Sequence, residues 1–349
     1  MTYDFIIVGQ GLSGSVASLS LMRSGYTVCV INNSSLSSCS SVAAGIWNPV
    51  VFKRLTKSWL ADDVVPELNE FYGYAEKLFN VTLIRHRCII KPIVEEQEKN
   101  LWLKKAKSDT VFLDPVIYKD LTISANSTIQ SYSKVLNAGS LDVTLFLERT
   151  KNYLVTNNSY LDDTVDHSLL ENYTTHVSYK NVKAKNIIFC EGHLISGNPY
   201  FNWVPMRPAK GEILTIYCEE IVLKNDILNK GLFILPIAPH TYKVGATYEW
   251  ENLNDTPTKK AKEELTQKLD AIINAPYKII KHEAGVRPAV IDRRPVIGSH
   301  PALENFFIFN GFGTKAVMLA PYFAKQFTGF LQAQVPINKE ADPARFYKN

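Results

Sequence analysis

Residues 4–33, DFIIVGQGLSGSVASLSLMRSGYTVCVINN, decide the fold. An apolar run at 5–8 leads without a spacer into Gly9-Gln10-Gly11-Leu12-Ser13-Gly14, and Val16, Ala17, Leu19 and Met22 then recur at helical spacing. The stretch predicts strand, tight turn, helix. Gly25 stops the helix and residues 26–31 supply a second apolar strand, closing a βαβ unit. The three glycines are needed for different reasons. Gly9 lets the chain turn, Gly11 lets backbone approach a pyrophosphate, and Gly14 lets the helix pack on the strand. Phosphate would meet the helix N-terminus at Leu12 and Ser13, where N–H groups and the dipole favour an anion. The second strand of such a unit ordinarily ends in an acid that holds a ribose. Asn32 and Asn33 stand there instead, and an amide can donate or accept that bond without charge. The reading is a dinucleotide site, with the choice of NAD or FAD open at this point.

Working outward, 349 residues leave room for two domains and a sizeable core, and 46% hydrophobic with 21% charged residues is an ordinary globular composition. The net charge of +4 is not gathered in any long basic block, so neither a nucleic-acid nor a membrane surface is expected. Lys104-Lys105 and Lys259-Lys260 read as solvated helix faces. Cys29, Cys39, Cys88, Cys190 and Cys218 are odd in number and never form a CxxC pair, which argues against a disulfide frame or a structural zinc site. No metal is expected. A strand of the fold at the N-terminus and the absence of a membrane-length apolar run give a cytoplasmic expectation, under which the sequons at Asn80 and Asn172 are accidental.

Beyond the βαβ unit, residues 34–41 form a serine-rich loop. Val42-Ala43-Ala44-Gly45-Ile46-Trp47-Asn48-Pro49 then suggests backbone packed against something flat or anionic. Residues 62–79 read as a helix, 83–93 and 111–113 as strands around a polar helix at 95–107, and 138–142 as the cap of a helix running to about 154. Meander strands are predicted at 159–170 and 174–180, and a buried parallel strand at 185–192 ends in Gly192, a second place for close backbone approach. Strands at 211–218, 232–237, 242–247 and 277–282 with a helix at 258–273 would make a second, mostly antiparallel sheet. Residues 285–298 read as glycine- and proline-rich turns. They lead to a strand at 306–310, the loop Gly311-Phe312-Gly313-Thr314-Lys315, and an apolar helix at 316–331.

The ordered set GxGxxG at 9–14, AAG at 43–45, FCEG at 189–192, RPAKGE at 207–212, VGATYE at 244–249, GVRPAVIDRRPVIG at 285–298 and FNGFGTKAVMLAP at 309–321 resembles the FAD-dependent D-amino-acid oxidase superfamily, in its glycine oxidase and sarcosine oxidase-like branch. The similarity spans essentially the whole chain in order. It implies an α/β protein: a Rossmann-like FAD-binding domain (1–82, 138–206 and 285–349) interleaved with a mostly antiparallel β-sheet substrate domain with covering helices (83–137 and 207–284). Carried over, Gly9, Gly11 and Gly14 would hold the FAD pyrophosphate, with Asn32 in the place of the acidic ribose ligand. Ser41, Ala44, Gly45 and Ile46 would line the flavin, Val165 would contact adenine, and Cys190, Glu191 and Gly192 would follow the strand beside the pyrophosphate. Gly311, Phe312, Gly313, Thr314 and Lys315 would present N–H groups to the pyrimidine edge of the flavin. Arg287 matches the arginine that pairs with a substrate carboxylate, and Tyr248 would close the other side of the pocket.

The chain departs from the family in having no cysteine where covalently flavinylated members attach FAD and no second arginine in the last loop. The resemblance therefore implies non-covalent FAD and an enzyme that takes a hydride from the carbon beside the nitrogen of an amino acid or secondary amine. A related tRNA wobble-uridine oxidoreductase and a flavin-binding protein without turnover are the alternatives. A pocket blocked by Trp47 or Trp203 would favour the latter.

Overall fold

The computed structural model describes residues 2–36, 38–333 and 335–347; Ser37 of the serine-rich loop lies outside them. The chain divides into two compact units, one of residues 1–43, 143–209 and 286–349 and one of residues 44–142 and 210–285.

In the first unit the strand Thr2–Val8 is central. Val28–Asn32 pairs parallel on one side and Val182–Phe189 on the other, with Tyr160–Asp162 beyond the former and Phe306–Asn310 beyond the latter. All five run parallel, and Val296–Ser299 closes an edge antiparallel. The chain first builds outward through Val28–Asn32 and Tyr160–Asp162, then returns to the opposite side of Thr2–Val8. Such a reversal leaves a crevice at the carboxyl ends of the two strands flanking it, here Val8 and Phe189. Ile6, Ile7, Ile188 and Phe189 are fully buried, as parallel strands require. The helix Leu12–Arg23 ends at Ser24, where Gly25 takes φ +88°.

The meander read at 159–180 is mostly not ladder. Only Tyr160–Asp162 adds a parallel strand, while Leu170–Asn172 and Val177–Tyr179 form a short hairpin that joins the start of Val182–Phe189 antiparallel. Aspartates compete with the backbone here: Asp166 Oδ1 accepts the Ser168 N–H at 2.9 Å and caps a 3-10 turn, His167–Leu169. That turn presents His167 to the end of Val182–Phe189, where its Nε2 donates to Glu191 Oε1 at 3.0 Å. Fully buried Asn198 donates to the other carboxylate oxygen at 2.6 Å and accepts the N–H groups of Tyr200 and Phe201. The hydrogen bond to Glu191 raises the His167 pKa, burial opposing it.

The second unit holds a nine-stranded sheet in the order Lys278–Arg287, Ala209–Tyr217, Thr241–Gly245, Phe233–Ala238, Ile227–Asn229, Ile84–Pro92, Ser127–Leu141, Ile46–Trp47, with Tyr118–Ser124 also on Ser127–Leu141. From Ala209–Tyr217 onward it is antiparallel except where Ile227–Asn229 meets Ile84–Pro92. The helix Lys259–Ile273 packs Leu265 and Leu269 against Leu214, Ile234 and Val244. Glu212, 2% exposed, anchors that helix by accepting the Thr258 N–H and hydroxyl at 2.8 and 2.9 Å. His282 Nε2 lies 2.8 Å from the same carboxylate and the fully buried Lys210 ammonium 3.6 Å from it, so the RPAKGE motif supplies a buried ionic anchor.

Four expectations change. Residues 44–82, read with the nucleotide domain, cluster with the second unit, because Ile46–Trp47 pairs with Gly139 and Ser140. Residues 138–141 are the end of a fifteen-residue strand rather than a helix cap, and the helix Val143–Thr156 starts after Asp142. Within that strand Gly139 serves a close approach, since a Cβ there would lie 2.3 Å from the buried Trp47 ring. Residues 111–113 contribute a single bridge, Leu113 to Val135, and 285–287 complete the strand Lys278–Arg287 instead of opening a turn.

Two outcomes follow. Gly14→Ala places a Cβ 1.9 Å from the Gly9 oxygen, whereas Gly73→Ala, also in a helix, meets nothing within 4 Å. Denaturant unfolding should show the first losing roughly 3 kcal/mol and the second gaining about 0.5–1 kcal/mol. His167 has a raised folded-state pKa, so its ion pair contributes fully below the ordinary histidine value of about 6.5 and is lost as pH rises through the higher folded value. The stability deficit of His167→Gln should be larger at pH 6 than at pH 8.5.

Candidate functional site

The crevice of the first unit is built on the 9–14 turn. Gly9 has φ +96°, and a Cβ on it would lie 2.7 Å from the Cys190 oxygen. A Cβ on Gly14 would strike the Gly9 oxygen, so helix, turn and the end of Val182–Phe189 pack backbone to backbone. At Gly11 the near neighbour is the Ser40 hydroxyl, 3.1 Å from a built Cβ, and that hydroxyl accepts the Leu12 N–H at 3.0 Å. Gly11 therefore clears space for a serine that the sequence reading passed over, and the N–H groups next in the first turn are those of Ser13 and Gly14.

Asn32 ends its strand as expected, with its amide oxygen accepting the Gln10 N–H at 2.9 Å. Asn33 is turned into its own loop, accepting from Ser35 and donating to Thr164 at 2.7 Å. Ser41 is exposed and its hydroxyl donates to the Ser38 carbonyl. Val165 packs on the edge of the core, and Cys190 is buried, its thiol pushed up by burial. Gly192 has φ +62° and open space where a Cβ would project.

On the opposite side of Val182–Phe189, Asn310 joins two glycine turns. Its amide donates to the Gly192 carbonyl at 2.9 Å and its oxygen accepts the Gly311 N–H at 2.8 Å. This buried asparagine is the clearest residue missed from sequence, and its place before a glycine at a strand end was the available signal. The following loop coils on itself, with Gly311 at φ +80° and Gly313 at φ +56°. The Gly313 N–H bonds the Pro288 carbonyl at 3.1 Å and the Lys315 N–H bonds the Phe312 carbonyl at 3.0 Å. Three of the five amides expected to face a ligand, those of Gly311, Gly313 and Lys315, are thus spent within the loop's own scaffold; exposed Thr314 is not committed to these bonds.

Arg287, the last residue of its strand, is set beside that loop by the Gly313–Pro288 bond and by an Ala289–Phe312 bridge. Its charge reaches Cys39, whose thiol burial raises to about 11 while Arg287 opposes the rise. Burial pulls the Lys315 ammonium below the ordinary lysine value, and Arg294 adds repulsion.

Ala44, Gly45, Ile46 and Tyr248 belong to the second unit. Gly45 accepts the Leu141 N–H at 3.0 Å and Ile46 pairs with Ser140. Tyr248 lies beyond the end of Thr241–Gly245, 56% exposed and stacked on Trp250. Trp47 is fully buried and donates to the Asn137 carbonyl, while Trp203 packs on Phe201 and His300, so both rings are taken up by the packing of their own units. Lys243 was also passed over: burial lowers its pKa, with Glu283 and Asp142 opposing. A lysine whose charge is disfavoured is a candidate for proton exchange. Among the described residues no cluster of three His, Cys, Asp or Glu could hold a metal, and no helix is long and apolar enough to cross a membrane.

The family model of FAD-dependent oxidoreductases matches residues 158–329. Glycine oxidase of Pseudomonas putida is 31% identical over 147 residues, 41% of this chain and 39% of that enzyme's length. Glycine oxidase of Bacillus cereus superposes with a TM-score of 0.76 at 17% identity, covering 96% of each chain. Iminodiacetate oxidase of Chelativorans superposes with a TM-score of 0.78 at 17% identity, covering 97% of this chain and 99% of that one. With the motifs in order, the chain has the fold of these oxidases, and its matched part resembles the FAD-dependent oxidoreductase family and the glycine oxidases, of whose length the match spans about two fifths.

Proposed function

We propose that the chain is an FAD-dependent oxidoreductase that removes a hydride from the carbon beside the nitrogen of an amino acid or secondary amine, leaving an imine. The observation that carries this is the placement of Arg287 directly against the 311–315 loop, at the end of a strand whose next residues are pinned to that loop. The described residues fit the cofactor: a helix N-terminus with glycine at each close approach, open space at Gly192, and a coiled loop that starts the helix Ala316–Ala333. FAD, when bound, supplies the hydride acceptor.

In this reading the first unit is the FAD-binding domain and the second the substrate domain. Ser13 and Gly14 amides hold the pyrophosphate, Gly192 lets the cofactor pass, and Val165 borders the adenine. Thr314 and the start of the last helix face the ring edge, and Lys315 adds positive character there. The Arg287 guanidinium grips a substrate carboxylate in a two-point pair and fixes the α-carbon for transfer. FAD is held without a covalent bond.

The purified protein should be yellow and should bleach anaerobically with an amino acid or N-substituted glycine; a colourless protein that FAD does not reconstitute overturns the reading. Arg287→Lys keeps charge but loses the planar fork, and should slow bleaching by the carboxylated substrate about tenfold or more. An amine without a carboxylate should be affected little. Equal losses for both would remove Arg287 from carboxylate recognition.

A further inference from the structure

The end of the second strand poses a problem of donors and acceptors. A ribose diol is ordinarily held by an acid that accepts from its O–H groups. Here Asn32 has committed its amide oxygen to the Gln10 N–H at 2.9 Å. That oxygen keeps a second acceptor position but carries no charge with which to hold a diol, and one hydrogen of the amide nitrogen leans on the Tyr160 hydroxyl at 3.4 Å. An amide nitrogen cannot accept from a ribose hydroxyl.

The neighbouring strand supplies what Asn32 lacks. Tyr160–Asp162 runs parallel to Val28–Asn32 with Asp162 in register with Asn32, so both side chains stand on the same face at the same carboxyl edge. Asp162 Oδ1 accepts the Ser34 N–H at 3.0 Å and Oδ2 the Ser34 hydroxyl, which turns the carboxylate toward the tip of the second strand. Each carboxylate oxygen has two acceptor positions, so these bonds orient the group without exhausting it. Lys151 Nζ lies 3.9 Å away, and the hydrogen bonds from Ser34 hold the carboxyl below the ordinary aspartate range, so it is an anion at neutral pH.

We propose that the adenosine ribose of FAD is held by two residues on adjacent strands, Asp162 accepting from its hydroxyls and the Asn32 amide donating to them. The acid ordinarily found at the end of the second strand has moved one strand outward. This rests on FAD as the resident cofactor.

The test uses apoprotein, with FAD binding followed by flavin fluorescence and with ADP and 2′-deoxy-ADP as calorimetric probes. Wild type should prefer ADP over 2′-deoxy-ADP. Asp162→Asn should weaken FAD binding about tenfold and erase most of that preference, with the apoprotein melt unchanged. Adding Asn32→Asp to Asp162→Asn should restore both. An Asp162→Asn protein that binds FAD within twofold of wild type and keeps the preference overturns the ribose assignment while leaving the cofactor reading intact. A wild type indifferent to the 2′-hydroxyl overturns it without any variant. An apoprotein that takes up no FAD removes the cofactor reading and this assignment together.

Discussion

The Gly9 carbonyl, the start of the helix Leu12–Arg23 and the Cys190 carbonyl meet at distances that leave no room for a single Cβ. This three-way backbone approach fixes the floor of the crevice. It sets the helix N-terminus at the point where the sheet order reverses, and so aims amide N–H groups into the crevice rather than along its wall. Every later feature of the first unit is referred to that point. Ser40 caps the helix from the far end of the serine-rich loop, Asn32 braces Gln10 from the next strand, and Asn310 ties the Gly192 turn to the Gly311 turn from the strand on the opposite side.

The polar residues around the crevice divide by what they can still offer. Asn310 and the amides of Gly311, Gly313 and Lys315 are consumed in holding the turns, so their value lies in rigidity. Arg287 owes its place to the same bonds, because residues 288 and 289 are fastened to the coiled loop. A site held this way depends on backbone conformations that only glycine adopts readily, at φ +96° for Gly9, +80° for Gly311 and +56° for Gly313. In the second unit a different device does the anchoring: buried Lys210 and Glu212, with half-buried His282 beside them, tie the start of a covering helix to the sheet, and removing Glu212 would take the shared carboxylate from both cations.

Where the sequence misleads, one residue type carries two possible meanings. Gly139 reads as part of a helix cap but lies inside a long strand, because the cost of its missing side chain is offset by the Trp47 ring that occupies the space. The aspartates at 162, 163 and 166 sit in a stretch with strand character, yet their side chains bond nearby Ser34, Lys180 and Ser168, and the ladder breaks into short pieces. Arg287 reads as part of a turn because a proline follows it, although the residue before proline is favoured in extended backbone and there ends a strand.

The sequence by itself determined the βαβ opening and the parallel-then-antiparallel division of the strands, because these rest on local periodicity and on glycines whose spacing is a property of the chain. It also named Arg287 and the 311–315 loop as elements of one site. Tertiary structure alone decided which donors and acceptors those residues still have to give: that the Asn32 oxygen is engaged by Gln10, that Ser40 stands where Gly11 makes room, and that three amides of the last loop are turned inward. Hydrogen-bond capacity is assigned by neighbours brought together from far along the chain, and no local pattern records it.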